Sequence, residues 1–485
     1  MLGRGRSSDA ELMMAYLRAL ATEDLDDLTY LDLVASTSGR MGSVVRPLAQ
    51  ARNLFRNWGF GLGKALRSVA STVADVRVRG LVERMGKAVE AGMRSVAYVR
   101  MEYERMRDIG RREMENALEH AKTLGDLYMT LISTFTFLIA AFVIASSTFS
   151  GISGSTVLSA VLAGICASSV FVVTLTWRYV GTDSIVSTGP FAPPWIRTVE
   201  WVAPYAVVGS LVASLLSALL LGPGNGSLVN AFIGGALASL GLSSWIRSRK
   251  IPALDADLPI LFRALSEVIS HFKDPVEAIG VVSEGQSKPL RRLLEKVRSL
   301  LRGGVELGAA MRSAFSATGS RLASDASEVL VEGIRLGVPS SGVGGVIYLY
   351  LNDKLSLRRK RSQVAGYLKG VAYPSVATSA AIMGVVGSLY SLLLDAMTMV
   401  RNFLPLSPDL PLELMWRAMA VSLVAISLTC ALLVYLIEGS SRAHLLLHLG
   451  LMLLTSMVLF YATATGTKAL LESMTSHLSR IRSMW

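Results

Sequence analysis

The chain has 485 residues, 52% of them hydrophobic and only 17% charged, with a net charge of +12 and a mean hydropathy of +0.47. Soluble domains carry about a quarter charged residues, so this balance excludes an ordinary soluble protein and points to several membrane crossings. The positive surplus fits cytoplasmic loops, and since no aromatic-basic module for nucleic acid is visible, no nucleic-acid partner is expected.

At the N-terminus, MLGRGRSSDAELMMAYLRAL lacks the apolar core of a signal peptide, so the chain is expected to start in the cytoplasm. The first 125 residues read as soluble helices. Within them GFGLGKAL, Gly59 to Leu66, looks like a phosphate loop. It fails as one, because Trp58 stands at the first required glycine position and Ala65 replaces the Ser or Thr that binds magnesium. Four apolar runs follow, at about 128–148, 156–176, 202–222 and 228–246, each near the roughly 20 residues that cross a bilayer. The short links SSTFSGISGST and GPGNGS pair them into tight hairpins.

RSRK, Arg247 to Lys250, closes the fourth run and opens a second soluble helical region at about 248–365. Asp274-Pro275 predicts a helix start, with Asp as the cap and Pro at the first helical position. PLRRLLEKVRSLLRGG is an amphipathic helix ended by Gly303-Gly304, with Leu293, Leu294, Val297 and Leu301 expected to face a core. Pro339, Ser340 and Ser341 mark a break. A long helix is then expected to pass RRKR, Arg358 to Arg361, and enter a fifth span.

Spans at about 368–394, 416–437 and 443–464 bring the total to seven. Pro374 is expected to kink the fifth. Lys and Arg near the span ends place both soluble regions inside the cell, and the loop NFLPLSPDLPLE and the C-terminus outside. Lys468, Arg480 and Arg482 in the tail run against that last assignment. The expected fold is therefore all-α, a polytopic membrane protein with two cytoplasmic helical bundles. Its divisions are 1–125, 126–247 (four spans), 248–367, 368–466 (three spans) and a tail at 467–485.

The two soluble regions share a segment. RGLVERMGKAVEAG, Arg79 to Gly92, aligns without gaps with RRLLEKVRSLLRGG, Arg291 to Gly304. Amphipathic helices share periodicity in any case, but the larger order of soluble block and membrane block is also used twice, which favours duplication.

Candidate chemistry is sparse. Cys166 and Cys430 each sit in an apolar run and read as buried side chains, neither disulfide nor metal site. His444 and His448 are one helical turn apart without further ligands nearby, and read as interfacial residues. Asp395 and Glu438 lie at span ends, not at mid-membrane where a proton relay would want them. No catalytic, cofactor or metal site is expected. For the RRKR cluster, attraction to lipid headgroups is the favoured reading. For Arg291, Arg292, Lys296, Arg298 and Arg302, docking of an acidic partner and a merely solvated face both stay open.

The second soluble region resembles the type II secretion system F domain. The matching stretches are LPILFRALSEVI, DPVEAIGVV, LRGGVELGAAM and EGIRLGVPSSGVGG. Roughly 50–125 resembles the same domain through VERMGKAVEAGMRSV and LEHAKTLGDLYMTLI. Two such domains, each followed by membrane helices, is the layout of the family that forms the membrane platform of type II secretion systems, type IV pili and archaeal flagella (archaella). The extra membrane helices are similar to those of the archaeal members. The resemblance implies a plasma-membrane scaffold, dimeric or a similar small assembly, surrounded by lipid. It implies pilin-like filament subunits as cargo, a hexameric secretion ATPase as motor on the cytoplasmic side, and no catalytic residues or cofactors. It also implies basic contacts to that ATPase, here Arg291, Arg292, Lys296, Arg298 and Arg302, with Arg79 and Arg84 as their repeat-related counterparts. Two rivals stay open: a permease subunit of an ATP-driven transporter, which needs a polar path through the spans, and a membrane enzyme, which needs clustered His, Cys or carboxylates.

Overall fold

The structure is a computed structural model that describes residues 5–21, 25–37, 39–148, 154–180, 193–221, 223–272, 274–400, 410–439 and 441–482. The helices are, in order, α1 (Gly5–Leu20), α2 (Asp27–Ala35), α3 (Gly39–Trp58), α4 (Leu62–Ala70), α5 (Val76–Glu90), α6 (Ser95–Thr148), α7 (Gly154–Val180), α8 (Pro194–Leu220) and α9 (Pro223–Ser248). They continue with α10 (Lys250–His271), α11 (Pro275–Glu284), α12 (Lys288–Arg302), α13 (Leu307–Ser316), α14 (Arg321–Arg335), α15 (Ser340–Val400), α16 (Leu412–Glu438) and α17 (Arg442–Arg482). No strand occurs among the described residues. Among the described residues, seven helical stretches are long and apolar enough to cross a membrane. The protein is thus all-helical with the span number expected from hydropathy. Most of the Pro-rich loop after the fifth span, 401–409, lies outside the described residues.

The chain divides into two compact units. The first holds residues 1–116, 182–197 and 248–360; the second holds 117–181, 198–247 and 361–485. Helices α6 and α15 each supply residues to both.

Local chemistry sets the helix ends in the first unit. Asp274 accepts from the Val276 amide at 2.9 Å and starts α11 with Pro275, as its sequence predicts. Asp75 caps α5 through the Arg77 amide, also at 2.9 Å. Ser320 caps α14 through the Ala323 amide at 3.1 Å. The break at Pro339 precedes the start of α15 at Ser340, and α15 then runs through Pro374 as one continuous helix. Leu290, Leu293, Leu294 and Val297 bury one face of α12, while Leu301 packs against that core only partly. Phe262 of α10 and Phe315 of α13 meet with ring centroids 5.1 Å apart. Each such buried side chain contributes about 1.5–3 kcal/mol.

The duplication extends beyond the aligned segment. Helices α5 and α12 coincide end for end at a constant shift of 212 residues, Val76 to Lys288 and Glu90 to Arg302. The same shift carries Leu81, Val82 and Met85 onto Leu293, Leu294 and Val297, all buried. Both helices close alike. The Gly92 amide donates to Val89 O and the Met93 amide to Ala88 O; the Gly304 amide donates to Leu301 O and the Val305 amide to Leu300 O. The two glycines adopt φ of +88° and +82°, a left-handed conformation that a side chain resists. Helix α4 packs on α3 and α5 as α11 packs on α10 and α12. Its buried Ala65, Leu66, Val69 and Ala70 correspond in spacing to Ala278, Ile279, Val282 and Ser283.

In the second unit α16 packs against both α7 and α17. Helix α9 approaches α17 closely at two glycines: a Cβ on Gly234 would stand 2.7 Å from the Leu454 amide nitrogen and 2.9 Å from Gly450 O. Small residues allow such backbone contact in membrane bundles.

Candidate partner interface and buried charge clusters

Helix α12 carries six cations and one carboxylate in fifteen residues. Arg291, Arg292, Lys296 and Arg302 are exposed. Arg291 is the paired one, with Nε 3.0 Å from Glu295 one turn on. Arg298 departs from the group. It is half-buried, its guanidinium lies over Gly280 of α11, and its Nε is buried without a hydrogen-bond partner. It therefore belongs to the α11–α12 seam more than to the solvent face.

The repeat-related residues are placed differently. Arg79 turns back on its own chain, with Nε and Nη2 donating to Val73 O at 2.9 and 2.7 Å. Arg84 donates to Glu102 of α6, whose side chain is only 2% exposed. Partial burial works against the charge of Arg84, but the hydrogen bond and charge of Glu102 outweigh it and hold its proton more tightly than usual. The Lys87 hydrogen bond and charge, in turn, lower the pKa of Glu83. The structure thus places all seven predicted contact residues in the first unit, and separates those of α12, mostly open, from those of α5, internally engaged.

The RRKR run corrects a sequence expectation. Attraction to lipid headgroups was the favoured reading, yet three of its four side chains are bound within the protein. Arg358 Nη1 lies 2.5 Å from Asp255 Oδ2 on α10, and Lys360 donates to Glu115 of α6. In the second unit, Arg361 donates through Nε and Nη2 to the carbonyls of Ile437 and Leu436, both at 3.1 Å. Those carbonyls end α16, where the helix dipole favours a cation. Arg359 alone of the four is exposed.

His444 and His448 were expected to be interfacial. The side chain of His448 is 7% exposed and belongs to a polar chain in the second unit. Its Nδ1 lies 2.9 Å from Tyr373 Oη and its Nε2 lies 3.2 Å from Glu438 Oε2. The same carboxylate oxygen receives Lys369 Nζ at 2.9 Å. Arg361, Lys369 and Tyr373 fall on one stripe of α15, at four- and eight-residue spacings. His444 meets Ser441 Oγ at 3.2 Å. Sequence reasoning missed this chain because its members come from three helices. The only local signal was the four-residue spacing of Lys369 and Tyr373, matched by that of His444 and His448.

No protein-family model, curated protein or solved structure matches the chain. Function therefore rests on the residues themselves. Both cysteines are free, and no group of three or more His, Cys, Asp or Glu suited to a metal occurs among the described residues. The largest concentration of exposed charge described above is the face of α12, which suits an acidic surface.

Proposed function

We propose that this protein is the membrane platform of a type IV filament or type II secretion-like machine. In that role it couples a cytoplasmic hexameric ATPase to the assembly of pilin-like subunits and itself performs no catalysis. The observation that carries the reading is the repeated plan: α3–α4–α5 leads directly into α6, α10–α11–α12 reaches α15 after the further pair α13–α14, and α6 and α15 each run unbroken into strongly apolar sequence. A platform must pass force from a motor it does not contain. A continuous helix is suited to that, because its backbone hydrogen bonds resist bending at every turn. The resemblance to F domains and the exposed cations of α12 support the same reading.

Deleting the gene should abolish surface filaments seen by electron microscopy, and the wild-type gene supplied in trans should restore them. The tagged protein should also co-purify with a hexameric ATPase. Normal filaments in the deletion strain would remove the proposal. The transporter rival has in its favour only the Lys369–Glu438–His448–Tyr373 chain, whose members lie at span ends. That reading requires substrate uptake by proteoliposomes holding the protein and its ATPase.

A further inference from the structure

Helices α5 and α12 hold equivalent places in the two copies of the repeated segment, but most cations of α5 are engaged and most of α12 are open. Of the four cations of α5, three have an acceptor, and Arg77 is exposed without a side-chain partner among the described residues. Arg67 of α4 lies 2.6 Å from Glu90, Lys87 lies 2.8 Å from Glu83, Arg84 is held by Glu102, and Arg79 is folded onto Val73 O. On α12, Lys288, Arg292, Lys296 and Arg302 are exposed and have no ion pair or side-chain hydrogen bond among the described residues. Lys288, Arg292 and Lys296 follow one another at four-residue spacing, so they share a stripe. Like charges at that spacing repel and weaken a helix. In the first copy the same stripe is Val76, Gly80 and Arg84, a single cation held by Glu102, whereas the second copy keeps the repulsion.

We infer that the protein docks an acidic protein surface through the α12 copy alone, with Arg292 and Lys296 at the centre of the contact, and that the matching stripe of α5, whose one cation is already held by Glu102, takes no part. The inference rests on the platform reading for the identity of the partner, the ATPase, but not for the location of the contact. Arginine forks match carboxylates in the partner. Val281 on α11 and Val305 after α12 stay 49% and 37% exposed, the kind of apolar spot that a charged docking rim surrounds. An anionic membrane surface fits less well. Interfacial segments are anchored by Trp and Tyr, and α12 contains no aromatic residue.

The test uses two sites that the same 212-residue shift makes equivalent, Lys87 on α5 and Ser299 on α12, both exposed. A photo-crosslinking benzoylphenylalanine is placed at one or the other in the full-length protein, in native membranes, and adducts are identified by mass spectrometry. Site 299 should give an adduct with an acidic region of a nucleotide-binding ATPase, and site 87 should give none. Adding Arg292→Glu and Lys296→Glu should lower the adduct yield about tenfold, as should raised salt. Arg77→Glu with Lys87→Glu, which changes exposed residues of the other copy, should leave the adduct at 299 intact and so controls for general charge. The same ATPase captured equally at both sites would overturn the one-copy assignment and leave the platform reading standing. Adducts with lipid only, or with a protein that has no nucleotide-binding motif, would overturn both. Insensitivity to Arg292→Glu with Lys296→Glu would show that the stripe is only solvated.

Discussion

Arg358 on α15 brings Nη1 to 2.5 Å from Oδ2 of Asp255 on α10, a carboxylate whose side chain has no solvent exposure. The other oxygen, Oδ1, accepts from the hydroxyl of Ser320, which also caps α14. One buried carboxylate therefore fixes three helices of the first unit. Removing one partner from such a pair strands a charge and typically costs about 3–5 kcal/mol, while replacing both by apolar groups can be nearly neutral. Arg358→Met should accordingly destabilise the protein strongly in detergent unfolding experiments. Asp255→Leu combined with Arg358→Met should recover much of the loss. Equal stability of the single and double variants would show that the pair holds nothing together.

The two glycine closures test the duplication itself. Gly92 and Gly304 share φ near +85° within a few degrees, and neither has a neighbour where a Cβ would sit. The cost of alanine there is conformational alone, about 1–2 kcal/mol at each site. Gly92→Ala and Gly304→Ala should therefore lower stability by similar amounts in denaturant titrations. A clear cost at one site and none at the other would deny their equivalence.

Helices and spans were legible because their signals are local. The Asp274-Pro275 start, the Gly303-Gly304 stop and the apolar runs are each contained within a few turns, and the structure follows them. The aligned 79–92 and 291–304 segments were also readable, since one register carries both the buried residues and the closing glycine. The fate of the charges was not. RRKR reads as one basic cluster, yet successive side chains on a helix point about 100° apart. Arg358, Lys360 and Arg361 consequently reach Asp255, Glu115 and the end of α16. Nothing near them in sequence names these acceptors, which lie 75 to 245 residues away. Arg79 and Arg84 were grouped with the α12 cations for the same reason: homology of position says nothing of whether a carboxylate waits nearby.

Two buried tyrosines set an alkaline limit for the first unit. Tyr30 donates to Leu17 O at 3.1 Å, and Tyr16 meets Thr37 Oγ1 at 2.8 Å. Burial raises the pKa of both phenols far above the usual value. The unfolded chain then loses these protons first, at a pH of about 10, while the folded chain keeps them. Stability from this source is complete below pH 10 and falls as pH rises beyond it. Tyr30→Phe should flatten that decline in unfolding measured between pH 9 and 11. An unchanged slope would place the alkaline sensitivity elsewhere.

The polar chain of the second unit makes a prediction about coupling. Glu438 Oε2 receives both Lys369 and His448, and His448 is held on its other side by Tyr373. Glu438→Gln weakens two charge-assisted contacts at once, worth about 1.5–3 kcal/mol for bonds to a charged group, while Tyr373→Phe removes one bond worth about 1 kcal/mol. The two losses should not add, because either change frees the same imidazole to reorient; residues in one network couple by about 0.5–3 kcal/mol. Tyr390 supplies the control. It lies on the same helix and donates to Leu410 O at 2.8 Å, far along that helix from Lys369 and Tyr373. Its distance from Tyr373 along α15 is about 25 Å at 1.5 Å per residue. Glu438→Gln with Tyr390→Phe should therefore be additive within about 0.5 kcal/mol. Measured as double-mutant cycles in detergent, coupling to Tyr373 but not to Tyr390 is the expected pattern. Additivity at both would mean that His448 merely fills space between two independent contacts.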